Sequence, residues 1–251
     1  MMVTNVGRIK VKYNKMLWFI GLPSGGLDLI SIKALTLIKN CKLCICSSSL
    51  INRKLLSYCD ETIWIQNNLN YQIERIIYFV LCSKGIVVKL HSGSMLGYSG
   101  INELAFYLNI LGVPFTILPS VGAMDTAFSY LGWEPDFSIN KGIIITRITK
   151  TSIVNNKFLC KRTLMESNPI VVIYLASRLI QYVCDALYQA FGKYCSVVCV
   201  FKSNWHSEVY LLTNLYHLHG DLKRASILRL SMIIANNTLL TSRYSLCKLN
   251  K

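Results

Sequence analysis

Glycine-rich and hydroxyl-rich turns carry the residues of this sequence that are best suited to contact a ligand. The first turn reads FIGLPSGG from Phe19, and the second reads LHSGSMLGY from Leu90. Glycines between a strand and a helix let the backbone approach a ligand and expose amide groups at the helix N-terminus. The spacing fits neither a Walker motif nor a dinucleotide fingerprint, so the turns alone indicate a ligand site without naming the ligand.

Three further side chains are candidates for proton transfer or for binding an anion. His91 abuts a strand end, where an imidazole either transfers a proton or has a structural hydrogen-bonding role. Arg147 suits bidentate binding of a carboxylate, with helix capping or a surface position as the alternative. Tyr98 is expected to form a wall of the site rather than to act as an acid.

The cysteines and histidines do not predict a metal centre. Cys41, Cys44 and Cys46 are closely spaced, but no second Cys or His pair follows at a zinc-ribbon spacing, so a buried strand is the better interpretation. His217 and His219 are expected at the surface. With no export signal recognised, the ten cysteines indicate a reducing, cytoplasmic setting, in which free thiols such as those of Cys44, Cys82, Cys199 and Cys247 behave mainly as small buried hydrophobes.

The formal net charge of +15 favours an anionic partner. The basic residues are scattered and no arginine-rich or aromatic RNA-binding motif accompanies them, so nucleic acid is not favoured. A polycarboxylate substrate would be attracted by the same field, and a lysine bias without function would also produce it. Although 53% of the residues are hydrophobic, no apolar run reaches the roughly 20 residues that a membrane span requires.

Strand-like and helix-like segments alternate along the chain, which predicts an α/β protein. Residues 1–15 form a basic extension, and residues 16–118 are predicted to fold as a parallel, doubly wound N-terminal α/β domain. Residues 119–251 are predicted to form a second α/β domain with more strand and mixed pairing.

In their order, these turns resemble the motifs of the tetrapyrrole methyltransferase family. The resemblance rests on the two turns above, on PSVGAM from Pro119, on IITR from Ile144 and on SNW ending at Trp205, and it extends to CSSSLI and RLSMIIA. The HSG, ITR and Trp elements favour the corrin branch. Several motifs depart from the family pattern: Ser94 stands in place of an aspartate, and Ser120 in place of a glycine.

The resemblance implies two α/β domains with a cleft between them that binds S-adenosyl-L-methionine, and a homodimeric assembly. The implied reaction is methylation of a polycarboxylate tetrapyrrole, precorrin-4, at C11 to give precorrin-5 in cobalamin biosynthesis. The implied cofactor contacts are Ser24 in the first turn; Ser92, Gly93, Ser94 and Gly97 in the second; Gly122 and Ala123 in the third; Leu175 and Ser203 after strands of the second domain; and Ser231 with Met232 near the adenine.

The absence of a recognisable catalytic triad agrees with this chemistry. A sulfonium methyl group is already activated, so alignment of the attacking ring carbon and exclusion of water can supply much of the rate. The alternatives within the fold are a cobalt-containing precursor, another ring position, or an RNA or protein substrate. An alternative of a different class is a non-catalytic remnant that binds partners through its basic surface.

Overall fold

The computed structural model describes residues 16–23, 25–47, 50–65, 68–95, 100–135, 140–148, 159–175, 179–227 and 231–239. The chain divides into two compact units, Met1–Val121 and Gly122–Lys251. The basic extension and the predicted site residues Ser24, Gly97 and Tyr98 lie outside the described residues, as does Cys247. Within the described part of the chain, no helix is long and apolar enough to cross a membrane.

The first unit contains a five-stranded sheet with the strand order β3-β2-β4-β1-β5. Every pairing in it is parallel. Because a parallel sheet is covered by helices on both faces, its central strands consist almost entirely of buried apolar residues. The strands are β1 (Leu17–Leu22), β2 (Leu43–Cys46), β3 (Thr62–Trp64), β4 (Val87–Ser92) and β5 (Phe115–Leu118).

Two hydrophobic cores lie in the first unit. Alternation along β1 sends Leu17 and Phe19 into one core and Trp18 and Ile20 into the other. Burial of each such side chain stabilises the fold by about 1.5–3 kcal/mol. The helical elements of this unit are α1 (Ile32–Lys39), a 3₁₀ helix (Arg53–Tyr58), α2 (Leu69–Cys82) and α3 (Ile101–Ile110).

The second unit contains a mixed five-stranded sheet with the order β6-β7-β10-β8-β9. The β6–β7 pair is parallel and the other three pairs are antiparallel, in agreement with the mixed pairing predicted from the sequence. The strands are β6 (Ile143–Arg147), β7 (Ile170–Tyr174), β8 (Ser196–Phe201), β9 (Val209–Asn214) and β10 (Ser231–Ala235); the helices are α4 (Ala123–Leu131), α5 (Lys161–Ser167), α6 (Ile180–Phe191) and α7 (Leu215–Arg224).

The apolar segment VYLLTNLYHL changes from strand to helix at Asn214. The side-chain oxygen of Asn214 accepts a hydrogen bond of 3.0 Å from the backbone N–H of His217, which caps α7. The sequence therefore contains its own boundary between β9 and α7, and α7 carries His217 and His219 to the surface, as expected.

Six of the nine described cysteines are buried, and Cys59 is half-buried. Cys44 and Cys199 lie in strands at 0% exposure, as expected, but the expectation of burial is wrong for Cys82. Ile73, Ile76 and Val80 define the core face of α2, and Cys82, two residues beyond Val80, lies on the opposite side of the helix. Cys160, which precedes α5, is also exposed.

Candidate functional site

Gly21, near the carboxyl end of β1, lies where three chain segments of the first unit converge. A Cβ atom on Gly21 would lie 2.9 Å from Cβ of Ser120, which follows β5. It would also lie 3.1 Å from the carbonyl oxygen of Gly93 and 3.1 Å from Cγ of Met95, both after β4. The 2.9 Å contact is closer than real Cβ atoms come to their neighbours, and the 3.1 Å contacts would require those neighbours to shift, so glycine is the residue that lets the three segments approach one another without strain.

The second turn runs directly beside Gly21. The amide of Gly93 donates a hydrogen bond of 2.7 Å to the carbonyl of Leu22, and Gly93 has a φ of +85°. A Cβ atom added to Gly93 would meet no described atom within 4 Å. The predicted contacts Ser92, Gly93 and Ser94 thus lie together at the carboxyl edge of the parallel sheet, where open α/β sheets bind ligands.

Lys89 and His91 lie on one face of β4, just before that turn. Lys89 is 6% exposed, and its Nζ donates a hydrogen bond of 3.4 Å to Oγ of Ser47, which follows β2. Burial lowers the pKa of Lys89 to about 8, with Cys46 acting in the opposite direction. Burial, and next the charge of Lys89, lower the pKa of His91 below its ordinary value, so its imidazole is neutral at pH 7.

The second unit collects predicted residues along one edge of its mixed sheet. Because β6 is parallel to β7, and β10 is antiparallel to both β7 and β8, the ends of β6, β7 and β8 lie beside the start of β10. The structure thereby brings together Arg147 at the end of β6, Leu175 after β7, Ser203 after β8, and Ser231 and Met232 at the start of β10.

Gly122 and Ala123, at the start of α4, belong to the same part of the second unit. The amide of Gly122 donates a hydrogen bond of 2.8 Å to Oδ2 of Asp125, so this amide already has a partner within the chain. The hydroxyl groups of Thr126 and Ser203 lie 2.5 Å apart. This contact joins the first turn of α4 to the loop after β8.

Backbone strain is concentrated at this edge. Leu175, Lys202 and Asn204 are not glycines, yet they have φ values of +55°, +49° and +63°. Such conformations cost about 1–3 kcal/mol each and cluster at ligand sites. The side-chain nitrogen Nδ2 of Asn204 is buried and has no hydrogen-bond partner among the described residues, which leaves its two N–H donors for a ligand.

The predicted residues differ in their exposure, and so in how accessible they are to a ligand. Leu175 is 42% exposed, whereas Ser203, Ser231 and Met232 are 5%, 2% and 3% exposed. Arg147 ends an edge strand and is exposed. The described residues contain no group of three or more His, Cys, Asp or Glu side chains arranged to hold a metal ion.

Lys89, Ser47 and Asn204 were not singled out as site residues by the sequence. The available signal for Lys89 was a lysine inside the apolar run GIVVKL, where a solvated charge is not expected. Ser47 and Asn204 gave no such signal, because short polar residues after a strand usually form turns.

The chain therefore combines a parallel α/β unit, whose carboxyl sheet edge is lined by glycines, with a second α/β unit that has a mixed sheet. Residues 16–218, well over half of the chain, match the family model of the tetrapyrrole (corrin/porphyrin) methylases. The chain is therefore a member of that family.

Curated relatives span nearly the whole chain. The chain is 27% identical over 242 residues to a cobalt-precorrin-4 C(11)-methyltransferase of Methanocaldococcus jannaschii, covering 94% of this chain and 93% of the relative. It is 24% identical to a precorrin-4 C(11)-methyltransferase of Rhodococcus erythropolis over 88% of this chain and 91% of the relative.

Solved structures share the fold. A cobalt precorrin-4 methyltransferase of cobalamin biosynthesis superposes with a TM-score of 0.82 at 23% identity, covering 93% of this chain and 99% of the other. A uroporphyrin-III C-methyltransferase of Thermus thermophilus, in complex with S-adenosylhomocysteine, superposes with a TM-score of 0.72 at 14% identity, covering 89% and 98%. The predicted family and α/β fold are confirmed.

Proposed function

We propose that this protein transfers a methyl group from S-adenosyl-L-methionine to C11 of precorrin-4, which gives precorrin-5 in cobalamin biosynthesis. The observation that carries the proposal is the agreement between the two curated relatives described above, which cover most of the chain: both are named as C11-methyltransferases of precorrin-4 or cobalt-precorrin-4. Membership of the tetrapyrrole methylases supports the same substrate class.

The described residues fit a ligand such as S-adenosylmethionine, which supplies an activated methyl group. In the first unit, no described atom lies within 4 Å of the position that a Cβ atom on Gly93 would take, and the glycine backbone allows close approach. In the second unit, the buried side-chain nitrogen Nδ2 of Asn204 lacks a hydrogen-bond partner among the described residues. We assign cofactor contacts to Ser92, Gly93 and Ser94 in the first unit, and to Gly122, Ala123, Leu175, Ser203, Ser231 and Met232 in the second.

Those contacts are not equivalent in chemical terms. Gly122 approaches the ligand mainly through its Cα, because Asp125 binds its amide and the backbone N–H of Thr126 donates to its carbonyl. Ser231 and Met232 are buried in the sheet and act mainly by shaping its edge, whereas Leu175 offers an exposed apolar surface to an aromatic ring. Ser24 and Gly97, outside the described residues, remain predicted contacts.

The remaining roles of the chain are to bind the tetrapyrrole and to exclude water from it. Arg147 ends β6 with an exposed guanidinium, which suits an acetate or propionate side chain. His91 is neutral at pH 7, so it accepts a proton if one must leave the methylated ring. The net charge of +15 draws a polycarboxylate toward the protein at low ionic strength.

Incubation with isotopically labelled S-adenosylmethionine and purified precursor tests the proposal. The metal-free and cobalt-containing forms of precorrin-4 are compared, because relatives of both names match this chain. We expect one methyl group per product by mass spectrometry, located at C11 by carbon NMR. A methyl group at another carbon contradicts the C11 assignment, and no transfer to either precursor contradicts the function.

A homodimeric state and a cytoplasmic location remain predictions. Sedimentation equilibrium measures the first, with a species of twice the chain mass of 28.5 kDa as the expected result. Fractionation of the source cells measures the second.

A further inference from the structure

Lys89 occupies a position where a charged side chain is costly. It lies in β4, the middle strand of the first sheet, and pairs in register with Phe19 of β1 and Ile45 of β2, which are both buried in the same hydrophobic core. Its side chain is only 6% exposed. Removing an ammonium group from water costs several kcal/mol unless charge and hydrogen bonds compensate for the loss.

The described residues provide little compensation for this charge. Their ion pairs are Lys42–Asp60, Arg162–Glu166 and Arg224–Asp221, and none of them includes Lys89. The described hydrogen bond of the ammonium is the 3.4 Å contact to the hydroxyl of Ser47. An ammonium has three donors, so two are left for another acceptor. Burial also lowers the pKa of Lys89, and Cys46 opposes this shift without cancelling it.

The position of Ser47 shows where the ammonium lies. Ser47 directly follows Cys46, the last residue of β2, so the contact draws Nζ of Lys89 toward the carboxyl edge of the parallel sheet. His91 follows two residues later on the same face of β4, and its Nδ1 is buried without a hydrogen-bond partner among the described residues. Gly93, where an added Cβ atom would meet no atom of the described part of the chain within 4 Å, comes two residues after His91.

We propose that Lys89, together with Ser47 and His91, forms a subsite that binds one carboxylate group of a bound ligand at the carboxyl edge of the first sheet. The three side chains offer an ammonium, a hydroxyl and an imidazole, which all donate hydrogen bonds, and no acidic group among them repels an anion. The Ser47 hydroxyl accepts from Lys89 and so directs its own proton elsewhere. A carboxylate placed there completes the ion pair that Lys89 lacks.

The choice of candidate ligands rests on the proposed function, in which two molecules carry carboxylate groups. One is the methionine portion of the cofactor, and the other is an acetate or propionate side chain of the tetrapyrrole. Both present the same chemistry to the Lys89 subsite, so equilibrium binding of each is measured separately. No turnover is required, and a protein that binds these probes but does not methylate precorrin-4 contradicts only the proposed function.

The cofactor arm compares S-adenosylhomocysteine with its analogue that lacks the carboxylate, 5′-deoxy-5′-(3-aminopropylthio)adenosine, by calorimetry. The tetrapyrrole arm uses uroporphyrin III, a stable polycarboxylate, by fluorescence quenching. The variants are Lys89→Met and Lys89→Gln. Lys84→Met is the matched control, because Lys84 is an exposed lysine before the amino end of the same strand and its loss lowers the net charge equally.

We expect Lys89→Met to weaken binding by about 10-fold or more in one arm, whereas Lys84→Met leaves affinity within about twofold. If the bound carboxylate belongs to the cofactor, the analogue without the carboxylate binds both Lys89 variants and the wild type equally. If the tetrapyrrole is the source, only uroporphyrin binding falls. The melting temperature of Lys89→Met should equal or exceed that of the wild type, because a buried charge is gone.

Three results would overturn the proposal. The first is unchanged affinity for both probes in both Lys89 variants. The second is an equal loss of affinity for S-adenosylhomocysteine and its analogue with no separate loss for uroporphyrin, which indicates a purely structural role. The third is a wild-type protein that binds neither probe. If Lys89→Met does not fold, Lys89→Gln, which keeps a donor without the charge, is held to the same criteria.

Discussion

The amide nitrogen of Gly93 lies 2.7 Å from the carbonyl oxygen of Leu22, so the loop after β4 is tied to the end of β1 by a backbone hydrogen bond. This bond holds Gly93 at a φ of +85°, a conformation that side-chain-bearing residues adopt only with strain. The loop therefore needs glycine for its backbone geometry, and a Cβ atom added there would meet no atom of the described residues within 4 Å.

Replacement of Gly93 by Ala separates these two roles. The new methyl group meets no described atom within 4 Å, so we expect a loss of about 1–2 kcal/mol in unfolding free energy from backbone strain alone. Because the methyl group enters the space assigned to the cofactor, affinity for S-adenosylhomocysteine should fall about 10-fold or more, and Gly93→Val should abolish binding. Urea denaturation and calorimetry measure the two effects.

Gly112→Ala is the control for this prediction. Gly112 has a φ of +65°, and a Cβ atom there would also meet no described atom within 4 Å, but it follows α3 rather than a sheet strand. It should lose similar stability and keep full affinity. Normal cofactor binding by Gly93→Val would show that the cofactor site has been placed wrongly.

Gly21→Ala should destabilise the first unit by steric overlap. Its Cβ would lie 2.9 Å from that of Ser120, and we expect a cost of about 1–3 kcal/mol, measured by thermal and urea unfolding. The double variant Gly21→Ala, Ser120→Gly should recover part of this loss, because the shortest contact disappears whereas those to Gly93 and Met95 remain. A loss that is identical in the single and double variants would contradict the convergence of these segments.

Arg147→Ala should weaken binding of the tetrapyrrole more than binding of the cofactor. Because this arginine is exposed, water and salt screen its charge, and we expect only about a 5- to 10-fold loss of affinity for uroporphyrin III. Arg147→Lys should retain part of the affinity, since it keeps the charge without the planar fork. Arg162→Ala, which removes an exposed arginine paired with Glu166, is the control. Equal losses for both ligands would argue against a carboxylate at Arg147.

Asp221→Asn should make the stability of the second unit less dependent on pH. The Thr213 hydroxyl, and next the Arg224 guanidinium, hold the pKa of Asp221 below its ordinary value, so the carboxylate stabilises the fold above the unfolded pKa of about 4. This contribution falls as the pH drops through the lower, folded pKa. We therefore expect the variant to lose about 1–2 kcal/mol at pH 7 and less as the pH approaches 3.

Urea unfolding of wild type and variant at pH 7, 5 and 3 measures this change. Glu166→Gln is the comparison, since it breaks an exposed helical ion pair that contributes only about 0.3–0.5 kcal/mol. If the wild type and Asp221→Asn differ by the same amount at every pH, the carboxylate of Asp221 does not contribute through its charge.

Local signals in the sequence determined much of the fold. Apolar runs such as those of β1 and β4 were recognisable because both faces of a parallel strand are buried. The boundary between β9 and α7 depends on Asn214, a residue type that caps helices wherever it occurs. The family could be named from the sequence because several short motifs occur in one order along the chain, and the match over residues 16–218 agrees.

Which side of a helix is buried was harder to predict from the sequence. Cys82 belongs to an apolar run, yet it is exposed, because the packing of α2 on its sheet selects Ile73, Ile76 and Val80 as the inner face. A run of apolar residues indicates that a helix is amphipathic or buried, but not which of its residues point outward at its last turn.

What the sequence determined by itself was therefore the identity of the elements and of the glycine-rich turns, because backbone geometry and hydrophobic pattern are local properties. Only the tertiary structure decided that Gly21, Ser120 and Gly93 converge, since strand order, not chain order, sets which loops are neighbours. Likewise, only the structure showed that Lys89 is buried without an acidic partner among the described residues. The cost of a charge depends on every group that surrounds it in space, and those groups come from distant parts of the chain.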